Sequence, residues 1–430
     1  MKRTLFLLLT ALIVFASGQP AAAQKFQPKS IQFKGAPEYT DQELLAAAGL
    51  KLGMVLDFGE MKSHSQKLMD TGVFETLGFK FDGVDLVYTL VPFTNLYHLR
   101  LANLPLTPGK ELDAALHARF PLYHGKVPAE GGLTDQVRKA LEEMLGAKGI
   151  KATVTAVPYT DPKLHEVTAM SYAITAPPVR VGEIHLDGVS PEMQAQVKLV
   201  ANHAMKTDYD TENSADNIER AFALLYTDEG YAAVKVHAEQ SGNPVMAGEA
   251  IEVPFSVSIE QGQLYELGAI HLPSGELLTL AEINKAAGTV SNSVEKQSVR
   301  GGVALRTALF YVTGQYKSKG YMECVVTPHP QYDDANGIVN YTLEVQPGPV
   351  YTMGKLTIEN GADDLRAAML AAWKMPAGTV FNASAIQTYY SSQGNTALGR
   401  TFASAICKYN LTINADTHTV DVTLRVEKRP

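Results

Sequence analysis

The sequence predicts an α+β protein built from five tandem β-α-α-β-β repeats forming an elongated array of small domains. Three observations predict it. The stretch Val339 to Gly361 has a near copy at Val253 to Gly275 and a looser one at Val167 to Gly188, so that Gly182, Gly268 and Gly354 recur every 86 residues. In each copy an alternating strand ends, the chain turns at Gly or Pro, and a new strand begins, which makes the stretch a joint between repeats. Between joints, the strings Tyr226-Thr-Asp-Glu-Gly230-Tyr231 and Tyr316-Lys-Ser-Lys-Gly320-Tyr321 mark the same helix end, with an aromatic on the last turn and a left-handed glycine after it.

Lys2-Arg3, the apolar run Leu5 to Phe15 and Ala21-Ala22-Ala23 compose a secretory leader, with cleavage expected after Ala23. No later stretch supplies the roughly 20 continuous apolar residues of a membrane helix. Loss of Lys2 and Arg3 takes the net charge from −8 to about −10. That charge is spread without long blocks, which argues against nucleic acid or anionic lipid as the main partner. Cys324 and Cys407 are the only cysteines in 430 residues, so cores and not disulfides must stabilise this exported chain. Both fall in equivalent second strands on the core side; a buried thiol is expected at each, with a disulfide as the alternative.

The first repeat (24–92, after the leader 1–23) opens with Ser30-Ile31-Gln32-Phe33 and a turn at Gly35. Thr40-Asp41-Gln42-Glu43 is a capping-box start for its first helix, Asp57 the N-cap of its second, and Gly72 the end of that helix before Phe74 opens a strand. Val84, Leu86, Tyr88 and Leu90 alternate onto one face of the third strand. The second repeat (93–176) has Leu99-Arg100-Leu101 as first strand, Asn103 in place of the turn glycine, and a long connection from Leu122 to Gly132. Val137, Leu141 and Leu145 form the stripe of its second helix, and Met170, Tyr172 and Ile174 its closing strand.

The third repeat (177–262) places Ile184 and Leu186 inward, turns at Gly188, and has helices around Met193 to Met205 and Ser214 to Tyr226. Val253, Phe255, Val257 and Ile259 face one way in its last strand while Glu252, Ser256 and Ser258 face the other, as in a sheet wet on one side; Pro254 interrupts its donors. The fourth repeat (263–348) follows the same plan. In the fifth (349–430), Asn382 stands where Asp57 stands in the first, Tyr390 to Gly394 keeps the helix-end spacing, and about seven extra residues precede Phe402.

These helix ends and Gly-Pro-Val-Tyr-x-x-Gly joints, in an exported tandem array, resemble polypeptide-transport-associated (POTRA) domains over essentially the whole mature chain. The resemblance implies a two-layer α/β domain whose mixed three-stranded sheet has strand order 1-3-2, with both helices on one face. It implies the periplasmic arm of outer-membrane barrel assembly or two-partner secretion proteins, although no barrel-like run of alternating segments follows Val426 here. It also implies that second strands accept an extended client by adding it to the sheet edge. The expected edges are Phe74 to Phe81, Tyr231 to Gln240, Met322 to Pro328 and Ala403 to Ile413. The client-binding residues expected on them are Tyr231, Val234, Lys235, Val236, Met322, Glu323, Val325 and Val326. Lys235 and Glu239 could instead protect their edge.

His185 and His271 occupy equivalent first-strand positions pointing away from the core and belong to separate repeats, so no shared metal site is expected. Asp208 to Ser214 lacks the glycine and terminal glutamate of a calcium loop and fits helix capping. With no nucleophile elbow, phosphate loop or zinc-protease motif, the chain carries no expected catalytic residue, cofactor or metal. The function expected is a non-catalytic, chaperone-like scaffold whose partners are envelope proteins, namely barrel precursors or a separately encoded barrel, with only indirect membrane contact. A structural spacer or docking arm for such a barrel or the cell wall is the alternative.

Overall fold

The computed structural model describes residues 24–162, 164–272, 278–279, 281–282, 285, 301–392 and 405–428, the side chains of 301, 391, 392, 405–407 and 428 aside. The leader, Gly394 and Phe402 lie outside them. The chain forms two compact units, Met1–Glu183 with Met205–Ala215 and Gln240–Phe255, and Ile184–Ala204 with Asp216–Glu239 and Ser256–Pro430. Among the described residues, no helix is long and apolar enough to cross a membrane.

The first repeat is β1 (Ser30–Lys34), α1 (Asp41–Ala48), α2 (Phe58–Asp70), β2 (Phe74–Phe81) and β3 (Asp85–Pro92). The sheet order is β1-β3-β2, with β1 parallel and β2 antiparallel to β3. Both helices start in capping boxes: Thr40 with Glu43, and Asp57 with Glu60. Each box satisfies two amides that would otherwise lack partners. Met61 and Leu68 of α2 are buried, as are Leu86, Tyr88 and Leu90 of β3. Val84 does not join them. It precedes β3 in the tight turn that Asp82 closes by accepting from the Val84 and Asp85 amides, and is exposed.

The second repeat comprises β4 (Leu96–Leu101), α3 (Lys110–Arg119), β5 (Lys126–Pro128), α4 (Gly132–Ala147), β6 (Thr153–Thr160) and β7 (Val167–Ala176). Its order is β5-β4-β7-β6, so the connection from Leu122 to Gly132 hides a fourth strand, antiparallel to β4. Asn103 also has a physical reason. In the first repeat a Cβ on Gly35 (φ 93°) would fall on the Leu90 carbonyl. In the second, the Asn103 carboxamide brackets the equivalent strand, accepting from Ile174 N at 2.7 Å and donating to Ile174 O at 3.1 Å.

The third repeat contains β8 (Val179–Asp187), α5 (Gln194–Ala204) after a 3-10 turn, α6 (Ser214–Asp228), β9 (Lys235–Gln240), β10 (Val245–Ala247) and β11 (Ala250–Glu260). Its sheet runs β10-β11-β8, and β9 also pairs β11. Val253, Phe255, Val257 and Ile259 are buried as expected. Pro254 is tolerated because it lies beyond the stretch that β10 covers, Ala250 to Glu252, while its carbonyl still accepts from Ser241 N at 2.9 Å.

In the fourth repeat, β12 (Glu266–His271), α7 (Gly301–Ser318), β13 (Val325–Asp333) and β14 (Ile338–Gln346) give the order β12-β14-β13. Ala304, Ala308, Val312 and Tyr316 form the stripe of α7 that packs on Ile270 and Leu343. The fifth repeat, β15 (Thr352–Glu359), α8 (Asp363–Ala372), α9 (Ala383–Ser392), β16 (Ala405–Asn414) and β17 (Thr419–Lys428), has the order β15-β17-β16. Asn382 caps α9 by accepting from Ser384 N at 3.0 Å. Met369, Ile386 and Tyr389 from the helices close the core over Val420, Val422 and Leu424. The described residues thus make a series of α+β units in each of which the last strand of the repeat lies inside its sheet.

Candidate protein-binding edges and a histidine–carboxylate cluster

Because the last strand is central, each second strand stands at a rim. The strands β2, β6, β13 and β16 each pair on one side only among the described residues, leaving a row of backbone donors and acceptors on the other. Two of these rims are interrupted. Pro158 sits in β6, and Pro328 and Pro330 sit in β13, each deleting one donor. No proline occurs in the 8 residues of β2 or the 10 residues of β16. Tyr409 and Ile413 of β16 are exposed as well.

The eight sequence-predicted residues divide evenly between strand and turn. Lys235 and Val236 open β9, and Val325 and Val326 open β13. Tyr231, Val234, Met322 and Glu323 lie before those strands, because the chain makes one more turn after the helix-end glycine: Val234 N donates to Tyr231 O at 3.1 Å and Cys324 N to Tyr321 O at 3.2 Å. That turn carries Tyr231 into a buried position against Tyr226, ring centroids 5.8 Å apart. It likewise sends Met322 into the core of the fifth repeat, beside Tyr351 and Phe381. Lys235 is engaged with Glu260 at 3.0 Å, on the exposed face of its sheet. The strand expected from residue 403 begins, within the described residues, at Ala405.

His185 and His271 are exposed on their strands, as expected. Asp210 serves the start of α6, its carboxylate accepting from Glu212 N at 2.8 Å and Asn213 N at 2.9 Å. Cys324 is buried in the fourth repeat's core, while the side chain of Cys407 falls outside the described residues. An open groove of about 1160 Å³ runs along α7 and the start of α9, lined by Phe310, Tyr311, Gly314 and Ser384.

One cluster escaped the sequence. Glu43 of α1, His117 of α3 and His124 in the following turn bring a carboxylate and two imidazoles together, one donor atom from each lying within 4.8 Å of the others. His124 is 81 residues from Glu43, and no local spacing announces the set.

No family model matches the chain, and no curated protein matches it. Solved structures do. The POTRA3-5 segment of BamA from Haemophilus influenzae aligns at 16% identity and a TM-score of 0.38, over 59% of this chain and 98% of that one. The N-terminal domain of Omp85 from the cyanobacterium Thermosynechococcus elongatus aligns at 17% identity and 0.20, over 59% and 99%. POTRA1-3 of the periplasmic domain of Omp85 from Anabaena aligns at 16% and 0.21, over 60% and 98%. The 1-3-2 strand order of the first, fourth and fifth repeats is the one that the sequence resemblance to POTRA domains implies.

Proposed function

We propose that the protein is a non-catalytic periplasmic scaffold for outer-membrane protein assembly or secretion, which holds extended segments of unfolded client proteins at sheet edges. The observation that carries this reading is β16, a ten-residue strand without proline that, among the described residues, pairs on one side only, to β17. A client strand laid along such a rim gains main-chain hydrogen bonds whatever its sequence, as a scaffold for many barrel precursors requires. The shorter rim β2 offers a second place of the same kind. The leader read at residues 1–23 supports export.

Amide hydrogen exchange of the full chain, with and without strand-forming peptides cut from an outer-membrane barrel, tests the reading. New protection is expected along β16 and β2, with little along β6 and β13. No new protection on any rim strand would sink it. The prolines of β6 and β13 favour a second reading, a spacer or docking arm for a separately encoded barrel or the cell wall, since protected rims are what a non-binding array needs. In-cell photocrosslinking from β16 separates the two: precursors recovered support the scaffold, and a mature barrel supports the docking arm.

A further inference from the structure

The cluster on the first two repeats has the chemistry of a metal site. Glu43 sits in the first turn of α1, and its capping box fixes the carboxylate: Oε2 accepts from Thr40 N at 2.7 Å and from the Thr40 hydroxyl at 2.9 Å. Its other oxygen, Oε1, is thereby aimed at the second repeat. There it meets His124 Nε2 at 3.0 Å and His117 Nε2 at 3.4 Å. His117 is held from behind, its Nδ1 lying 2.9 Å from the carbonyl oxygen of Tyr123. A carbonyl only accepts, so Nδ1 carries the proton, and in the neutral ring Nε2 presents a lone pair to a carboxylate oxygen. Two electron-rich atoms at that distance need a positive centre between them.

Both rings are positioned, not merely nearby. The last turn of α3 carries His117, and the left-handed Gly125 ends the turn that carries His124. Tyr39 packs edge-on against His124 at 5.0 Å between ring centroids, and the two imidazoles meet edge-on at 5.1 Å.

We propose that Glu43, His117 and His124 bind a divalent transition-metal ion of the zinc type, clasping the first repeat to the second. Ligands at 2.0–2.1 Å around a tetrahedral ion stand roughly 3.3 Å from one another, which the 3.0 and 3.4 Å separations match. Two imidazoles and one carboxylate suit zinc, copper or nickel; calcium and magnesium demand more oxygens. The Nδ1 contact of His117 with a main-chain carbonyl is the outer-shell hydrogen bond that fixes a metal-binding tautomer. The side chains of His117 and His124 are 45% and 39% exposed, which leaves room for a water as fourth ligand.

The test is calorimetric titration of the EDTA-treated full chain with zinc chloride, repeated with cobalt(II), whose visible bands report tetrahedral coordination. One equivalent per chain is expected, with a rise in the melting temperature. His117→Ala and His124→Ala should each weaken binding roughly tenfold or more. His185→Ala and His271→Ala, on exposed strands elsewhere, should leave it unchanged. His124→Gln, which keeps a polar side chain of similar length, serves if an alanine variant misfolds. Absence of a one-equivalent site, as when a proton on His117 alone supplies the positive centre, overturns the proposal; so does binding that the His117 and His124 variants leave intact.

Discussion

The backbone carbonyl of Gly320 accepts a hydrogen bond from the N–H of Tyr351 at 2.8 Å. Gly320 follows α7 of the fourth repeat, and Tyr351 opens the fifth. One repeat earlier, Gly230 accepts from Tyr265 N at 2.9 Å in the same way. The helix-end string and the joint string, which the sequence presents as two separate repeated motifs, are the two halves of one contact between consecutive repeats. In the fifth repeat the contact is extended, since Tyr351 O accepts from Phe381 N at 2.9 Å.

Gly320→Ala should therefore loosen a joint as well as a helix end. The residue sits at φ 92°, and a Cβ there would come within 2.8 Å of Val380 and 3.0 Å of Tyr351 O. A loss of roughly 1–3 kcal/mol is expected. In Gly314→Ala, where a Cβ meets nothing within 4 Å inside α7, a gain of up to about 1 kcal/mol is expected. Urea denaturation of the two variants beside wild type decides the matter; equal stability of Gly320→Ala and wild type would refute the joint.

The 86-residue glycines have a different role from the one their position suggests. Gly268 and Gly354 lie inside first strands, at register shifts in β12 and β15, and not in the joint turns, which fall at Gly262 and Gly348. Each makes space for a polar side chain from the central strand. Ala269 N donates to Asn340 Oδ1 at 2.7 Å, and Lys355 N to Asp421 Oδ1 at 2.6 Å. A Cβ on Gly354 would fall on that Asp421 oxygen. Gly354→Ala and Asp421→Ala should each cost roughly 1–3 kcal/mol. The double variant should cost less than their sum, because the first change already displaces the carboxylate. Strict additivity in denaturation midpoints would show that the two are unconnected.

What the sequence made legible was what local physics controls. Thr40, Asp57 and Asn382 cap helices where their spacing says they do, and Gly230 and Gly320 are left-handed. Strand faces follow alternation, with Leu86, Tyr88 and Leu90 buried together. What escaped depends on partners distant along the chain. The three residues of β5 are too short for a periodic signal and exist by pairing with β4. The edge residues Tyr231 and Met322 are apolar and precede strands, yet an extra turn buries them. Glu43, His117 and His124 come from two repeats, and only the packing of α1 beside α3 and its turn unites them.

Buried tyrosines should make the fold sensitive to alkali. Burial pushes the Tyr88 hydroxyl up to about 12, and burial, with Tyr332 nearby, does the same for Tyr341. A group whose folded value lies above its unfolded value of about 10 contributes stability that is intact below pH 10 and is lost as pH rises toward 12. Ultraviolet titration should show exposed tyrosines ionising near pH 10 and the buried ones only as the fold opens. Replacing Tyr88 by Phe should flatten part of the alkaline loss in stability, and an unchanged profile would show that its burial does not drive it.

Pro328 and Pro330 should be guarding β13 against pairing with a second molecule. The strand is nine residues long and already bonded to β14 through its whole length, so restoring two donors on the remaining side recreates a continuous rim. Val325 and Tyr332 at its two ends are exposed and apolar, which adds sticking surface once the backbone can pair. The double variant Pro328→Val, Pro330→Val should fold and self-associate, whereas Pro158→Val in β6 restores a single donor and should do so less. Sedimentation velocity at increasing concentration measures this directly. If the double variant stays as monodisperse as wild type, the prolines are not edge guards, and β13 regains the same standing as β16 among the rims to be tested for client binding.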